Sequence, residues 1–347
     1  MKEAILYSKG EGSSVRCNLC RRGCTIRDGE RGFCHVRENR GGKLYSLVYG
    51  KAVAAEVDPI EKKPFYHFMP GAECFSFSTV GCNFRCLYCQ NSEISQVKGG
   101  RIIGEDWSPE RIVNYCKENN LPGIAYTYTE PTIFMEYALD TAKLAHKEGL
   151  FNVFVTNGYM SEEAINEMDG LIDAARIDLK GFNERIYKEV CGGVELEGIL
   201  SSIKSLHKKM HIEIINLVVP GYNDSQEDLR ALSKWCAELD SNVPLHFIGF
   251  YPAYKMMDTP RTSLQTLLNA CTIAMEEGVK FTYSGNLLDE KSESTYCPNC
   301  REQIVRRRGF LVLDNRIDGY NKCPDCGEEL YFVGDIKEYW KRMEKRK

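Results

Sequence analysis

The stretch that most constrains this chain is Gly81-Cys82-Asn83-Phe84-Arg85-Cys86-Leu87-Tyr88-Cys89-Gln90-Asn91. Its three cysteines, spaced C-x3-C-x2-C, follow Cys74–Val80, whose alternation predicts a β-strand. One short loop at a strand end can aim three thiolates at a common centre. The count matters. A closed structural zinc site takes four ligands, whereas an iron–sulfur cube gripped by three cysteines keeps one iron open to another ligand. The plainer alternatives are a half-built zinc knuckle and three reduced thiols in a turn.

Sixteen cysteines in 347 residues extend the metal theme to the whole chain. Eleven fall into three sets: Cys17, Cys20, Cys24 and Cys34; Cys82, Cys86 and Cys89; and Cys297, Cys300, Cys323 and Cys326. C-x2-C clusters fit metal sites in a reducing compartment better than a secreted disulfide framework. The opening residues Met1–Tyr7 are too few and too charged for a signal peptide, so a cytoplasmic protein is expected. A formal net charge of −4 gives no bulk attraction to nucleic acid or anionic membrane, and no apolar run approaches a membrane span. Cys116, Cys191, Cys236 and Cys271 are expected to be small buried hydrophobes; Cys74, near the loop, is more open.

Three regions are expected. Residues 1–73 begin with Cys17-x2-Cys20-x3-Cys24-x9-Cys34 among glycines, a small looped module that a metal must hold together. Four thiolates suit structural zinc, and C-x2-C-x3-C also suits a second iron–sulfur cluster; the spacing does not decide. The interleaved Arg21, Arg22, Arg27, Arg31, Arg37 and Arg40 are expected on a solvated face. Asp58–Gly71, with prolines and charges among aromatics, reads as an ordered irregular crossing segment rather than a helix. Residues 74–290 repeat strand, loop and helix about six times, which implies a parallel sheet with helices outside, an α/β fold of the partial (β/α)6 TIM-like barrel type. Residues 291–347 carry Cys297-Pro-Asn-Cys300 and Cys323-Pro-Asp-Cys326, two knuckles of a zinc ribbon. Between them Arg306-Arg307-Arg308 is expected in a solvated turn, and Asp335–Lys347 as a charged terminal helix.

In a parallel barrel the reactive groups collect at the carboxyl ends of strands. Those ends are expected to deliver Thr129 and Glu130, then Thr156 and Asn157, then Asp178 and Lys180, then Pro220-Gly221, and finally His246 and Tyr251. Each has a duller reading. Glu130 would also suit a helix N-terminus, Asp178 and Lys180 a surface pair, and His246 a satisfied core histidine.

The three-cysteine loop, with aromatic Tyr88 before its last cysteine, resembles that of the radical S-adenosylmethionine (SAM) enzymes. Together with the N-terminal cysteines, the run at 58–71 and the C-terminal knuckles, it resembles the radical SAM member of the AmmeMemoRadiSam group, close to the pyruvate formate-lyase activating enzymes. The resemblance implies a radical SAM barrel with a [4Fe-4S] cluster on Cys82, Cys86 and Cys89, whose open iron takes the amino and carboxylate groups of SAM. It places Tyr88, Cys89 and Gln90 at the adenine, and Thr129 and Glu130 at the amino group, with Thr129-Glu130-Pro131 in place of the activating enzymes' Gly-Gly-Glu, so the local backbone is expected to differ. Asp178-Leu179-Lys180 matches their Asp-x-Lys element, with Asp178 near the ribose or a monovalent cation and Lys180 near the SAM carboxylate. Thr156 and Asn157 match their Thr-Asn-Gly element, preceded by Val155 where those enzymes have an acid. His246 matches a histidine that reaches the ribose or adenine.

The chemistry implied is reductive cleavage of SAM to a 5′-deoxyadenosyl radical that takes hydrogen from an unidentified substrate. That substrate is either a protein glycine, as in a glycyl-radical activase, or a small molecule or partner-bound intermediate. Cys191-Gly192-Gly193 and Tyr251–Lys255 are the substrate-side loops expected. Implied partners are an electron donor of the flavodoxin or ferredoxin kind and Memo-like and AMMECR-like proteins. The rival class is a zinc-module adaptor for RNA or protein with an inert barrel. Mild acidity and the absence of aromatic–basic interleaving argue against nucleic acid.

Overall fold

The computed structural model describes residues 1–97, 100–287, 289–317 and 321–344. Its centre is a sheet of eight strands: β1 Ala54–Pro59, β2 Glu73–Ser78, β3 Gly123–Tyr126, β4 Phe151–Thr156, β5 Ala174–Asp178, β6 His211–Val218, β7 Leu245–Gly249 and β8 Thr282–Gly285. The strands lie in that order from one edge to the other. β2 to β8 run parallel, and β1 runs antiparallel along β2. β4 is buried at all six positions, as a parallel strand covered on both faces must be.

Helices α1 Pro109–Glu118, α2 Met135–Lys147, α3 Glu162–Met168, α4 Leu196–His207, α5 Gln226–Asp240 and α6 Leu264–Glu276 alternate with the strands. Four of them open on a serine cap: Ser108, Ser161, Ser225 and Ser263 each accept a hydrogen bond from a first-turn backbone N–H. This is the expected partial barrel of six βα units, closed by the extra strand β8. Among the described residues no helix is long and apolar enough to cross a membrane.

The segment expected to be irregular does more than cross. Its first two residues, Asp58 and Pro59, end β1, the edge strand of the barrel sheet. Its second part turns into the amino end of the barrel, where Ile60, Phe65, Phe68 and Met69 pack with Phe151, Val153, Val155 and Ala174. The barrel is thus plugged from below.

The C-terminal knuckles close on a three-stranded antiparallel sheet, β9 Thr295–Tyr296, β10 Gln303–Arg308 and β11 Leu311–Asn315. The Arg306–Arg308 run lies in β10, not in a solvated turn. Side chains alternate across a strand, so Arg306 and Arg308 face solvent while Arg307 is fully buried. Arg307 donates to the Tyr66 carbonyl at 2.7 Å and to Thr295 Oγ1 at 2.8 Å, fixing the ribbon to the plug. His67 stacks on Phe332 at 4.3 Å between ring centroids and completes the seam. The terminal helix α7 runs Ile336–Glu344, and the expected residues beyond it lie outside the described ones.

The N-terminal arginines are not one solvated face either. Arg27 and Arg40 are exposed, but Arg37 is buried and grips Glu136 of α2 through two bonds of 2.8 and 3.0 Å. Arg22 donates to the carbonyls of Asn83, Gly192 and Gly193 at 2.8–3.0 Å. These side chains are docking pins that hold the N-terminal module to the carboxyl end of the barrel.

Candidate active site

The three-cysteine loop leaves β2 and is held by its neighbours through backbone. Arg85 N–H donates to the Cys191 carbonyl at 3.1 Å and Leu87 N–H to that of Val190 at 2.9 Å. Lys255 N–H donates to the Leu87 carbonyl at 2.9 Å. Gly81 has φ +99°, and a Cβ there would stand 2.8 Å from the Cys34 carbonyl oxygen, so only glycine lets the two cysteine loops meet. Cys82 Sγ accepts from Phe84 N–H at 3.3 Å, and Cys89 Sγ lies 3.1 Å from Ser95 Oγ. The Cys82, Cys86 and Cys89 sulfurs do not converge within 4.8 Å. A single tetrahedral metal would draw them to about 3.8 Å, from Zn–S bonds near 2.3 Å. Their spread, with donors already aimed at two sulfurs, fits a cluster that places a separate iron behind each thiolate.

Around this loop the strand ends deliver what was expected of β3, β4 and β5. Tyr128 has φ +62°, the left-handed region that favours glycine. Its hydroxyl bonds Asp58, and Lys63 Nζ lies 4.1 Å from its ring centroid, which holds that conformation in place. Thr129 Oγ1 donates to the Thr79 carbonyl at 2.8 Å.

Glu130 is buried. Its Oε1 accepts from Thr132 N–H, Thr132 Oγ1 and Thr156 Oγ1 at 2.5–3.0 Å, and its Oε2 from Asn157 N–H at 2.8 Å. The carboxylate therefore clasps the ends of β3 and β4 together. Burial pushes its pKa above the ordinary value even though these donors pull the other way. Asn157 Nδ2 donates to Asn83 Oδ1 at 2.7 Å, which carries the clasp into the cysteine loop.

On β5, Asp178 lies between two cations: Arg176, and Lys180 Nζ at 2.6 Å. Burial works to raise its pKa, but the two cations outweigh it and hold the carboxyl below the ordinary value. Burial likewise opposes the Lys180 charge, and Asp178 with Cys86 more than compensates, so Lys180 stays protonated. Its ammonium lies 5.9 Å from the Tyr88 ring centroid. Tyr88 is buried, while Gln90 is exposed.

Two expected cofactor contacts are corrected. His246 is the second residue of β7, not at its carboxyl end. Its Nε2 lies 2.8 Å from Glu213 Oε2, and its ring stacks on Tyr283, beside the plug. It is the satisfied core histidine of the amino end, and the resemblance misplaced it. Leu179 is wholly buried in the hydrophobic core, and its carbonyl accepts from Asn216 Nδ2 at 2.8 Å. Alternation along the chain points it away from the face that Asp178 and Lys180 share.

Two residues gain importance. Cys191, expected as core or in a substrate-side loop, brings a fourth thiol beside the loop: its Sγ lies 3.7 Å from the Tyr88 hydroxyl. Asn83 joins the cysteine loop to Asn157. Its only sequence signal was its place inside the loop, and Cys191 was marked by the Gly-Gly that follows it.

The C-terminal set behaves differently. Cys297 and Cys326 sulfurs lie 3.6 Å apart, as do those of Cys300 and Cys323, and all four fall within 4.8 Å of one another. That is the spacing of four thiolates on one tetrahedral ion.

Residues 76–233 match the family model described as the radical SAM superfamily. An uncharacterized protein of Methanocaldococcus jannaschii is 44% identical over 337 residues, spanning 96% of this chain and 100% of that protein. The pyruvate formate-lyase 1-activating enzyme of Escherichia coli is 26% identical over 187 residues, spanning 52% of this chain and 75% of that one. The GTP 3′,8-cyclase of Limosilactobacillus fermentum is 22% identical over 258 residues, 67% of this chain and 76% of that enzyme. With a strand-end loop of three spread cysteines at the mouth of a partial parallel barrel, the chain belongs to the radical SAM superfamily, a family of iron–sulfur and SAM-dependent enzymes.

Proposed function

We propose that this chain is an enzyme that cleaves SAM reductively and takes a hydrogen atom from a substrate, with Cys82, Cys86 and Cys89 holding the [4Fe-4S] cluster. The observation that carries this reading is the loop of three thiols, too spread for one ion, beside the half-buried Asp178–Lys180 pair, whose ammonium lies 5.9 Å from the Tyr88 ring centroid. When bound, the cluster and SAM together supply one-electron cleavage of the sulfonium to methionine and a 5′-deoxyadenosyl radical.

The residues of this chain bind, orient and exclude. Lys180, kept charged by Asp178, offers a donor to the SAM carboxylate, and Asp178 offers its oxygens to the ribose hydroxyls. Thr129 and the free lone pair of Glu130 Oε2 serve the ammonium, while Tyr88 and the backbone of Cys89 and Gln90 border the adenine. Thr156 and Asn157 hold Glu130 and the loop in register. His246 and the Leu179 side chain take no part. The plug below and Phe250 beside Tyr88 keep water and stray hydrogen donors from the radical.

Zinc is the metal proposed for the Cys297–Cys326 ribbon. A partner role with Memo-like and AMMECR-like proteins, and reduction by a flavodoxin or ferredoxin, complete the reading of a cytoplasmic enzyme. The likeness to an activating enzyme supports a second substrate class, a protein glycine. The Cys191–Gly193 and Tyr251–Lys255 loops beside the cysteine loop are where either substrate would approach.

The test is anaerobic reconstitution with iron and sulfide, chemical reduction in the presence of SAM, and chromatography for 5′-deoxyadenosine. The reading requires that product from the native chain and none from Cys82→Ala/Cys86→Ala/Cys89→Ala. Equal product from the triple variant sinks the site assignment.

A further inference from the structure

We infer that Cys17, Cys20, Cys24 and Cys34 hold a second polynuclear iron–sulfur cluster, set against the three-cysteine loop, rather than a structural zinc ion. Three observations converge. The first is spacing. The ribbon sulfurs close within 4.8 Å of one another, but no three of the N-terminal four do, and in this they match the Cys82 set. One tetrahedral ion holds its sulfurs about 3.8 Å apart. A cluster spreads them, since each thiolate binds a different iron. All four nevertheless line a single recess with Arg22, Phe33 and Asn83, so they face one centre.

The second observation is charge. Cys17 and Cys34 are buried, and a cluster on four thiolates is anionic. Arg22 lines the same recess, and its guanidinium is spent on the carbonyls of Asn83, Gly192 and Gly193. Among the described residues it has no carboxylate partner, so its positive charge is left to offset the recess.

The third is contact with the three-cysteine loop. A Cβ on Gly81 would stand 2.8 Å from the Cys34 carbonyl oxygen, Arg85 donates to the Phe33 carbonyl, and Arg22 donates to the Asn83 carbonyl at 3.0 Å. Arg22 and Arg85 both stack on Phe33, with guanidinium carbons 3.9 and 4.2 Å from its ring centroid. Asn83 follows Cys82 and is also a wall of the N-terminal recess.

Its role as an electron relay rests on the radical reading above; its presence does not. In that role a reduced carrier of the ferredoxin or flavodoxin class gives up one electron. A cluster held by Cys17, Cys20, Cys24 and Cys34 would supply one-electron transfer toward a centre held by Cys82, Cys86 and Cys89. No bond or proton changes hands.

The experiment is metal and sulfide analysis of the full chain purified anaerobically, with Cys82→Ala/Cys86→Ala/Cys89→Ala. The expected result is at least two iron atoms and as many sulfides per chain remaining, with about one zinc in the ribbon, and a paramagnetic signal on reduction. A folded triple variant free of iron and carrying two zinc ions overturns the inference. Cys20→Ser/Cys24→Ser, at two half-buried ligands, gives the reciprocal count: iron falls while the Cys82 set keeps its share, and unchanged iron overturns the inference as well. If the native chain makes no 5′-deoxyadenosine but the triple variant still holds iron and sulfide, the radical reading fails and this one stands.

Discussion

The two ends of the barrel are both polar and both buried, yet they are finished in opposite ways. At the amino end the charged groups serve one another: Glu213 accepts from Tyr66 N–H, His67 N–H and His246, and Arg307 donates to Tyr66 and Thr295 and lies 3.6 Å from Glu61, with its Nε and one Glu61 oxygen left without a hydrogen bond. An apolar plug seals what remains. At the carboxyl end the thiols, the Lys180 ammonium and one Glu130 oxygen keep bonding capacity to spare. The lesson is that buried polarity alone does not mark a functional site.

Four experiments press on that contrast. The largest effect belongs to Arg307→Met, which removes one side of the buried seam and strands Glu61 and the Tyr66 carbonyl. A broken buried ionic network costs about 3–5 kcal/mol, read as a lower thermal midpoint, while SAM cleavage per folded chain stays as it was. Equal losses of stability and cleavage would erase the distinction between the two ends.

Asp178→Asn leaves Arg176 and Lys180 without their shared anion. Binding of SAM, followed by calorimetry, weakens about tenfold to a hundredfold, as expected for charge-assisted bonds. Unchanged affinity would move the nucleotide away from β5.

A pH titration sharpens the amino end. Burial drops the His67 pKa from its ordinary 6.5 to about 3, with Glu213 pulling weakly against that. Folded His67 therefore stays neutral where the unfolded chain takes a proton. Its contribution is complete above pH 6.5 and is lost as the pH falls from there toward 3. His67→Gln should flatten the difference in denaturant midpoint across that window, and parallel curves for the two chains would refute it.

The smallest effect is expected of Cys191→Ala. Trimming a buried thiol costs about 1 kcal/mol, and the iron content stays unchanged. Iron lost from this variant would make Cys191 a fourth ligand and close the position reserved for SAM.

Periodicity and spacing determined much by themselves. Alternating βα runs fixed the barrel, because burial patterns are written in short windows. C-x3-C-x2-C and the paired C-x2-C knuckles named the cysteine sets, because ligand spacing is local as well. Tertiary structure alone decided what depends on distance along the chain. It turned Ala54–Pro59 into an edge strand and the residues after it into a plug, and it buried Arg37 and Arg307 against partners 99 and 241 residues away. It also sent His246 to the sealed end and brought Cys34 against Gly81. A side chain's depth along a strand, and the neighbour it meets there, are set by the closure of the sheet, and no window of sequence contains that closure.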